Sequence, residues 1–249
     1  AGHSAIFRNG KLKIRQYWDL SFPEAGHHFS ISEEVAIREV RERFQKTVQN
    51  QMISDVPVGA FLSAGLDSSS IVAAMTRSTA ESVRTYTITF PPQYRMGEDT
   101  LDNPAVAART AEKLGCLHTQ ITVEPDVVGL LPKLVYHMDE PTADPAIIAA
   151  YLVNKEARKS VTVLLSGVGG DEVFAGYRKH QLLKAREFVD RLPGSRAVLR
   201  GALSLLPAPL DRTRRSTELL RSMQRLERGL DANPADAWVA LTQVATLSE

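Results

Sequence analysis

Residues 58–70 read VGAFLSAGLDSSS, a short apolar run followed by a Ser/Gly turn, an aspartate and three serines. The apolar run predicts a buried strand over Val58–Leu62, and the serines predict the start of a helix that continues to Met75. The small turn residues let backbone N–H groups approach a ligand, and a helix N-terminus favours phosphate oxygens. A carboxylate such as Asp67 repels phosphates unless a divalent cation lies between them. Taken alone, the stretch is more typical of an ordinary strand-to-helix turn, with serines as helix caps and Asp67 as a solvated turn residue. Together with the second stretch described next, it predicts a polyphosphate and magnesium site.

Residues 161–172 read VTVLLSGVGGDE and repeat this arrangement of apolar strand, Gly-rich turn and acidic helix start. On its own, the second stretch is equally typical of a tight turn whose acids, Asp171 and Glu172, complement a helix dipole. Paired with the first stretch, it places Asp171 as the second carboxylate of the magnesium site. We call the two turns the first loop (residues 63–70) and the second loop (residues 166–172).

Strand and helix patterns alternate along the chain. Predicted strands cover residues 58–62, 83–90, 117–123 and 161–165, and predicted helices cover residues 33–51, 68–75, 104–114, 127–137 and 146–160. Such alternation predicts an α/β fold with a parallel sheet flanked by helices, and ligands at the carboxyl ends of the strands. Beyond Tyr177 the pattern predicts a helical C-terminal extension. Its basic amphipathic stretch, residues 212–228, is more typical of a solvated helix face than of an anion site.

Composition narrows the class of protein. The 249 residues carry a net charge of +1, which gives no reason to expect a nucleic-acid partner. No apolar run approaches the ~20 residues of a membrane helix, and no signal-peptide pattern is seen. The single cysteine, Cys116, excludes an intrachain disulfide and is expected to be a buried apolar residue. These features predict a soluble cytoplasmic protein with no membrane partner.

Ser63–Ser68 matches the Ser-Gly-Gly-X-Asp-Ser signature of the N-type ATP pyrophosphatases, with Ala64 in the second position. Those enzymes cleave ATP between the α and β phosphates. Within that superfamily the chain resembles the synthetase domain of the glutamine-hydrolysing asparagine synthetases, through residues 55–69, 139–145 and 165–178. The resemblance implies a Rossmann-like fold of the adenine nucleotide alpha hydrolase type, with ATP and Mg²⁺ as cofactors.

The resemblance also implies site residues in both loops and at two strand ends. The ATP and pyrophosphate contacts would be Phe61, Leu62, Ser63, Ala64, Gly65, Asp67, Ser68, Ser69, Ile88, Ser166 and Gly167. Asp67 and Asp171 would be the metal ligands and catalytic residues. Phe61 and Ile88 would flank the adenine, although both positions equally suit core residues.

The ends of the chain carry their own expectations. Residues 1–30 resemble the hairpin and linker that follow the glutaminase domain in this family, and Asn9-Gly10 is typical of a type I′ hairpin turn. The resemblance thus implies a glutaminase domain ahead of residue 1. Residues 31–249 would form the ATP-pyrophosphatase domain, truncated at its C-terminus.

The implied reaction is adenylation of a carboxylate, most simply the aspartate side chain, followed by attack of ammonia derived from glutamine to give asparagine and AMP. Val168 departs from the pattern, because asparagine synthetases carry an acid there and β-lactam synthetases a tyrosine. A valine cannot take a proton from the amine, so the acceptor stays open. Two alternatives remain: another carboxylate amidation, as in β-lactam synthetases, or an inactive nucleotide-binding regulatory domain. The sequence leaves the oligomeric state open, and a homodimer is one candidate.

Overall fold

The computed structural model describes residues 2–21, 30–89, 91, 104–123, 127–139, 144 and 146–177, with single positions between 180 and 201. It divides into two units, Ala1–Lys46 and Thr47–Glu249. The elements in chain order are β1 (His3–Arg8), β2 (Lys11–Gln16), α1 (Glu33–Gln51), β3 (Val58–Phe61), α2 (Leu66–Ser78), β4 (Arg84–Thr89), α3 (Pro104–Lys113), β5 (Leu117–Thr122), α4 (Val127–Met138), α5 (Ala146–Ala157), β6 (Val163–Leu165) and α6 (Gly170–Phe174). The predicted C-terminal extension lies almost wholly outside the described residues. No described helix has the length and apolar character needed to cross a membrane.

The first unit contains an antiparallel hairpin of β1 and β2, with Phe7 opposite Leu12. Its turn has positive φ at both central residues, 52° at Asn9 and 73° at Gly10. A type I′ turn requires this geometry, because its twist matches that of the flanking strands. The predicted hairpin is therefore confirmed.

The second unit contains a four-stranded sheet in the order β5-β4-β3-β6, in which every pair is parallel. This confirms the predicted α/β class and its Rossmann-like parallel sheet. Gly59 lies in the centre of the sheet, where a Cβ would lie 2.8 Å from the Arg84 carbonyl oxygen. The chain runs outward from β3 to β4 and β5 and then returns to the other side of β3. Such a switch in strand order leaves a crevice at the carboxyl ends of β3 and β6, where the two loops begin.

The core beside this crevice is built from α5 and the strands β4 and β5. Tyr86 and Ile121 pack with Val153 and Ala157, and all four are buried. The Tyr86 hydroxyl lies 2.5 Å from Oγ of Ser160, which satisfies its polar tip. On α2, the buried side chains Val72 and Met75 anchor the helix that follows the first loop. Both loops thus start from well-packed elements.

Two of the elements beside the loops begin two residues away from their predicted starts. Strand β6 begins at Val163 rather than Val161, because the Val161 N–H still bonds the Ala157 carbonyl at 2.9 Å. Helix α2 begins at Leu66, ahead of the serines, because Gly65 is its N-cap and accepts from the Ser69 N–H at 3.3 Å. In both cases the backbone closes a helical turn that side-chain pattern alone does not reveal.

His118 on β5 makes the stability of this unit depend on pH. Its Nδ1 lies 2.9 Å from Oγ1 of the fully buried Thr85, and its buried Nε2 has no hydrogen-bond partner among the described residues. Burial lowers the pKa of His118 below its ordinary value. The unfolded state therefore binds the proton more readily. Neutral His118 makes its full contribution to the free energy of unfolding above the unfolded pKa of about 6.5. This contribution is lost as the pH falls toward the lower pKa of the folded state.

We expect the free energy of unfolding to decrease between pH 7.5 and pH 5.5 by more in the native chain than in His118→Gln. Urea unfolding at several pH values measures this difference. His137→Gln is the matched control, because His137 lies on the exposed surface of α4. A pH dependence that is the same in the native chain and in His118→Gln would contradict the assignment.

Candidate active site

The first loop is held in shape by its own serines. Oγ of Ser68 accepts from the Ser63 N–H at 3.1 Å and lies 2.9 Å from the Ser63 hydroxyl. Ser63 Oγ in turn accepts from the Gly65 N–H at 3.1 Å, and Ser69 Oγ donates to the Gly65 carbonyl at 2.8 Å. These bonds preorganise the turn. A serine hydroxyl that donates to a phosphate would first have to turn away from its partner in the loop.

The second loop packs directly against the start of α2. A Cβ at Gly167 would lie 2.8 Å from the Ser68 backbone nitrogen, and one at Gly170 would lie 2.5 Å from Oδ2 of Asp67. Glycine at both positions lets the two loops touch. Because β3 and β6 are neighbours in the sheet, the two sequence motifs meet, although about 100 residues separate them.

Acidic side chains gather where the loops meet. Asp67 lies in the first turn of α2 and Asp171 in the first turn of α6. The Tyr177 hydroxyl donates to Oε1 of Glu172 at 2.5 Å, and this bond is the main cause that raises the pKa of Tyr177 to about 12. Desolvation and the charges of Glu172, Asp171 and Asp67 contribute the rest of this increase. The charges of both predicted metal ligands thus act on one hydroxyl group. Glu172 and Tyr177 were not among the site residues predicted from the sequence.

Asp67 and Asp171 suit a magnesium ion whose remaining ligands come from the substrate. Among the described residues, no hydrogen bond or ion pair engages either carboxylate, and no cluster of three or more metal-ligating side chains occurs. Protein-bound Mg²⁺ commonly uses one or two carboxylates together with substrate phosphates rather than a cage of protein ligands. The donor set of Asp67 and Asp171 fits that mode of binding.

A pocket of about 230 Å³ opens beside the loops, at the carboxyl ends of β3, β4 and β6. Five predicted residues line it: Phe61, Ser63, Ala64, Ile88 and Ser166. Its remaining lining comes from Thr87 and from Ala149, Ala150 and Val153 on α5. The sequence analysis missed these four. In the sequence, only the small Ala149-Ala150 pair indicates that α5 could border a ligand site. Which face of α5 borders the crevice is decided by helix packing.

The other predicted residues lie around this pocket. Leu62 is only 1% exposed, and its N–H donates to the Tyr86 carbonyl while its carbonyl accepts from the Thr87 hydroxyl. Leu62 is therefore a buried residue that stabilises the start of the first loop, and it is not among the residues that line the pocket. Asp67, Ser68 and Gly167 lie at the contact between the loops, while Gly65 and Ser69 are bonded to each other within the first loop. Val168 is 90% exposed, so packing does not account for the valine.

Comparison with known proteins agrees with this geometry. Residues 39–246 match the sequence profile of the asparagine synthase family. Asparagine synthetase [glutamine-hydrolyzing] 1 of Bacillus subtilis is 35% identical over 223 residues, which cover 89% of this chain and 32% of that protein. A putative asparagine synthetase of Mycobacterium tuberculosis is 39% identical over 184 residues, covering 73% and 26%. The amidase chyE of Penicillium rubens is 32% identical over 193 residues, covering 71% and 28%.

Among solved structures, an NH3-dependent NAD synthetase from Campylobacter jejuni aligns with a TM-score of 0.37 and 17% identity, covering 56% of this chain and 60% of that one. The chain spans about a third or less of the length of the three curated relatives named above. The profile match nevertheless covers most of the chain, including both loops and the pocket. The chain therefore belongs to the asparagine synthase family, and it corresponds to the synthetase domain of that family.

Proposed function

We propose that this chain is the synthetase domain of an ATP-dependent, amide-forming ligase that adenylates a carboxylate substrate. The observation that carries the proposal is the contact between the two loops. It brings the second loop, which carries Asp171, against Asp67 at the N-terminus of α2, and Ser63 and Ala64 of the same first loop line a pocket whose walls are mainly apolar. An adenine ring suits the pocket, and phosphates suit the amides of the loop and helix start.

The chain supplies positioning and charge. Phe61 and Ile88 would flank the base, while Ser63, Gly65, Ser68 and Ser69 would hold the β and γ phosphates. Asp67 and Asp171 would bind magnesium, which, when bound, would neutralise charge on the leaving pyrophosphate. The short contacts at Gly167 and Gly170 keep the two aspartates together, so that the phosphates meet a preformed site.

In the proposed first step, a carboxylate oxygen attacks the α phosphorus of ATP. The bond from the α phosphorus to the bridging oxygen breaks, and pyrophosphate leaves with that electron pair. The product is an acyl-adenylate. In the second step, ammonia attacks the acyl carbon, loses a proton and displaces AMP. With aspartate as the carboxylate, the amide formed is asparagine.

The proposal extends to partners that the relatives suggest. The Bacillus subtilis relative is named as glutamine-hydrolysing, so we infer that a glutaminase domain on the same polypeptide supplies the ammonia. We place the reaction in the cytoplasm. A homodimer is compatible with this arrangement.

A second candidate is amidation of a different carboxylate on the same adenylating site. The observation that favours it is Val168, because an exposed valine in the second loop offers no group to accept a proton from the amine. The relative named as an amidase shows that the family includes proteins with other names. Activity with a carboxylate other than aspartate would select this candidate.

The proposed function can be tested by exchange of labelled pyrophosphate into ATP. The experiment uses this chain and the full-length polypeptide that its gene encodes, with magnesium and a panel of carboxylates that includes aspartate. We expect exchange that depends on the carboxylate. Nucleotide binding without exchange in both proteins, with every carboxylate tested, would instead support the inactive regulatory domain.

The pocket itself gives a second expectation. Ala149→Leu would fill part of the pocket of about 230 Å³, so we expect MgATP to bind at least about tenfold more weakly. Isothermal calorimetry measures the change. Ala146→Leu is the matched control, because Ala146 is exposed at the start of α5 and does not line the pocket. Equal affinities of the two variants would show that the base binds elsewhere.

A further inference from the structure

A second pocket, of about 360 Å³, lies between α5 and β6. Helix α5 contributes Tyr151, Asn154 and Lys155, which share a face of the helix different from the one that lines the first pocket, and Arg158 follows directly after the helix. Val161 and Leu164 provide apolar surface from the segment that enters β6. We call this site the α5–β6 pocket. Neither the sequence motifs nor the proposed reaction uses it.

The α5–β6 pocket is lined by two cationic side chains. Among the described residues, Lys155 and Arg158 line it, no carboxylate does, and neither cation forms an ion pair. The neighbouring Lys159, by contrast, pairs with Glu156 at 2.6 Å. Arg158 uses Nη1 to donate to the Thr162 hydroxyl at 2.8 Å, which orients the guanidinium beside the pocket.

A third cation approaches from α4. Nζ of Lys133 donates to the Tyr151 hydroxyl at 2.9 Å and lies 5.2 Å from the centre of its ring. This hydrogen bond, together with the charges of Lys133 and Lys155, lowers the pKa of Tyr151. Positive charge from two helices therefore converges on the same hydroxyl group at the pocket.

Helix-dipole stabilisation accounts for part of this charge. Basic residues near the C-terminal end of α5 are favourable there because of the partial negative charge of the helix end. That effect falls off within one turn, whereas Tyr151 lies further back in the helix and Lys133 belongs to α4. Helix-dipole stabilisation also does not explain why these residues line a concave pocket. The volume of this pocket, about 360 Å³, is within the usual range for small-molecule sites.

We propose that the α5–β6 pocket binds a small organic anion, a carboxylate or phosphate ester attached to an apolar group. Lys155 and the outer N–H groups of Arg158 would meet the anion, since charge-assisted hydrogen bonds to carboxylate and phosphate are stronger than neutral ones. Val161 and Leu164 would contact the apolar group. The α5–β6 pocket is separate from the pocket of about 230 Å³ in which we propose that ATP binds. The present proposal therefore does not depend on the proposed reaction.

The test uses the whole 249-residue chain and 4-(trifluoromethyl)benzoate as the probe, observed by fluorine NMR. We expect saturable binding that weakens at least about fivefold in the double variant Lys155→Gln/Arg158→Gln. The matched control is Arg109→Gln/Lys113→Gln on α3, which removes the same charge from exposed positions. It should change the affinity by less than about twofold, because distant surface charges are screened. Circular dichroism checks that each variant is folded.

Three results would overturn the proposal. Equal weakening in both double variants would indicate general attraction to a positive surface. Equal binding of the uncharged 4-(trifluoromethyl)benzyl alcohol would show that the cations play no part. Loss of binding in Ala149→Leu but not in Lys155→Gln/Arg158→Gln would locate the probe in the pocket beside the two loops, which Ala149 lines. A parallel titration with phenyl phosphate distinguishes the two anions: tighter binding than the benzoate assigns the site to phosphate esters.

Discussion

Replacing Asp67 by asparagine is expected to reduce carboxylate-dependent pyrophosphate exchange at least about 100-fold, because charge stabilisation at a leaving phosphate is among the largest catalytic effects. Asparagine keeps the size of the side chain, so the close approach of Gly170 remains possible. No described hydrogen bond or ion pair depends on the Asp67 carboxylate, so stability should hardly change. The loss should therefore lie in the chemical step and in magnesium dependence.

Exchange rates at several magnesium concentrations, with calorimetric binding of magnesium in the presence of ATP, separate these effects. Glu81→Gln is a suitable control, because Glu81 is an exposed acid in the turn after α2. It removes one negative charge without touching either loop. If Asp67→Asn retained exchange within about threefold of the native chain, the charge of Asp67 would have no catalytic role of the expected size.

The second large effect is expected at Gly167. A Cβ there would lie 2.8 Å from the Ser68 nitrogen and 3.1 Å from the Asp67 carbonyl carbon, both of which are backbone atoms. Backbone cannot move aside as a flexible side chain can, so Gly167→Ala should push the second loop away from α2. Overpacking of this kind costs about 1–3 kcal/mol of the free energy of unfolding. The separation of the loops should also remove most of the exchange activity.

Urea unfolding and pyrophosphate exchange measure the two consequences. Gly201→Ala is the control for the substitution itself, since a Cβ at Gly201 would meet no atom of the described residues within 4 Å. Gly170→Ala is an informative companion, because its Cβ would meet the end of the Asp67 side chain. It should lower activity more than stability. Full activity in Gly167→Ala would mean that contact between the loops is not needed.

The local patterns of the sequence were sufficient for the elements that carry both loops. An apolar run with small residues at its end, as in Val58–Leu62, can be buried only as a strand that enters a turn, and β3 and α2 follow from it. The Asn9-Gly10 turn was equally predictable, because few residue pairs accept positive φ at both positions. The placement of Phe61, Ser63, Ala64, Ile88 and Ser166 around one pocket agrees with the resemblance to the asparagine synthetases.

Only the tertiary structure decided which residues complete the sites. The order β5-β4-β3-β6 makes the first and second loops neighbours, and it depends on contacts between residues far apart in sequence. Packing of α5 against β4 turns Ala149 and Val153 toward the pocket beside the two loops and leaves Lys155 and Arg158 at a second pocket. Hydrophobic periodicity is a local property and specifies that a helix has a buried face. Which crevice that face covers is set by long-range packing, which no single segment encodes.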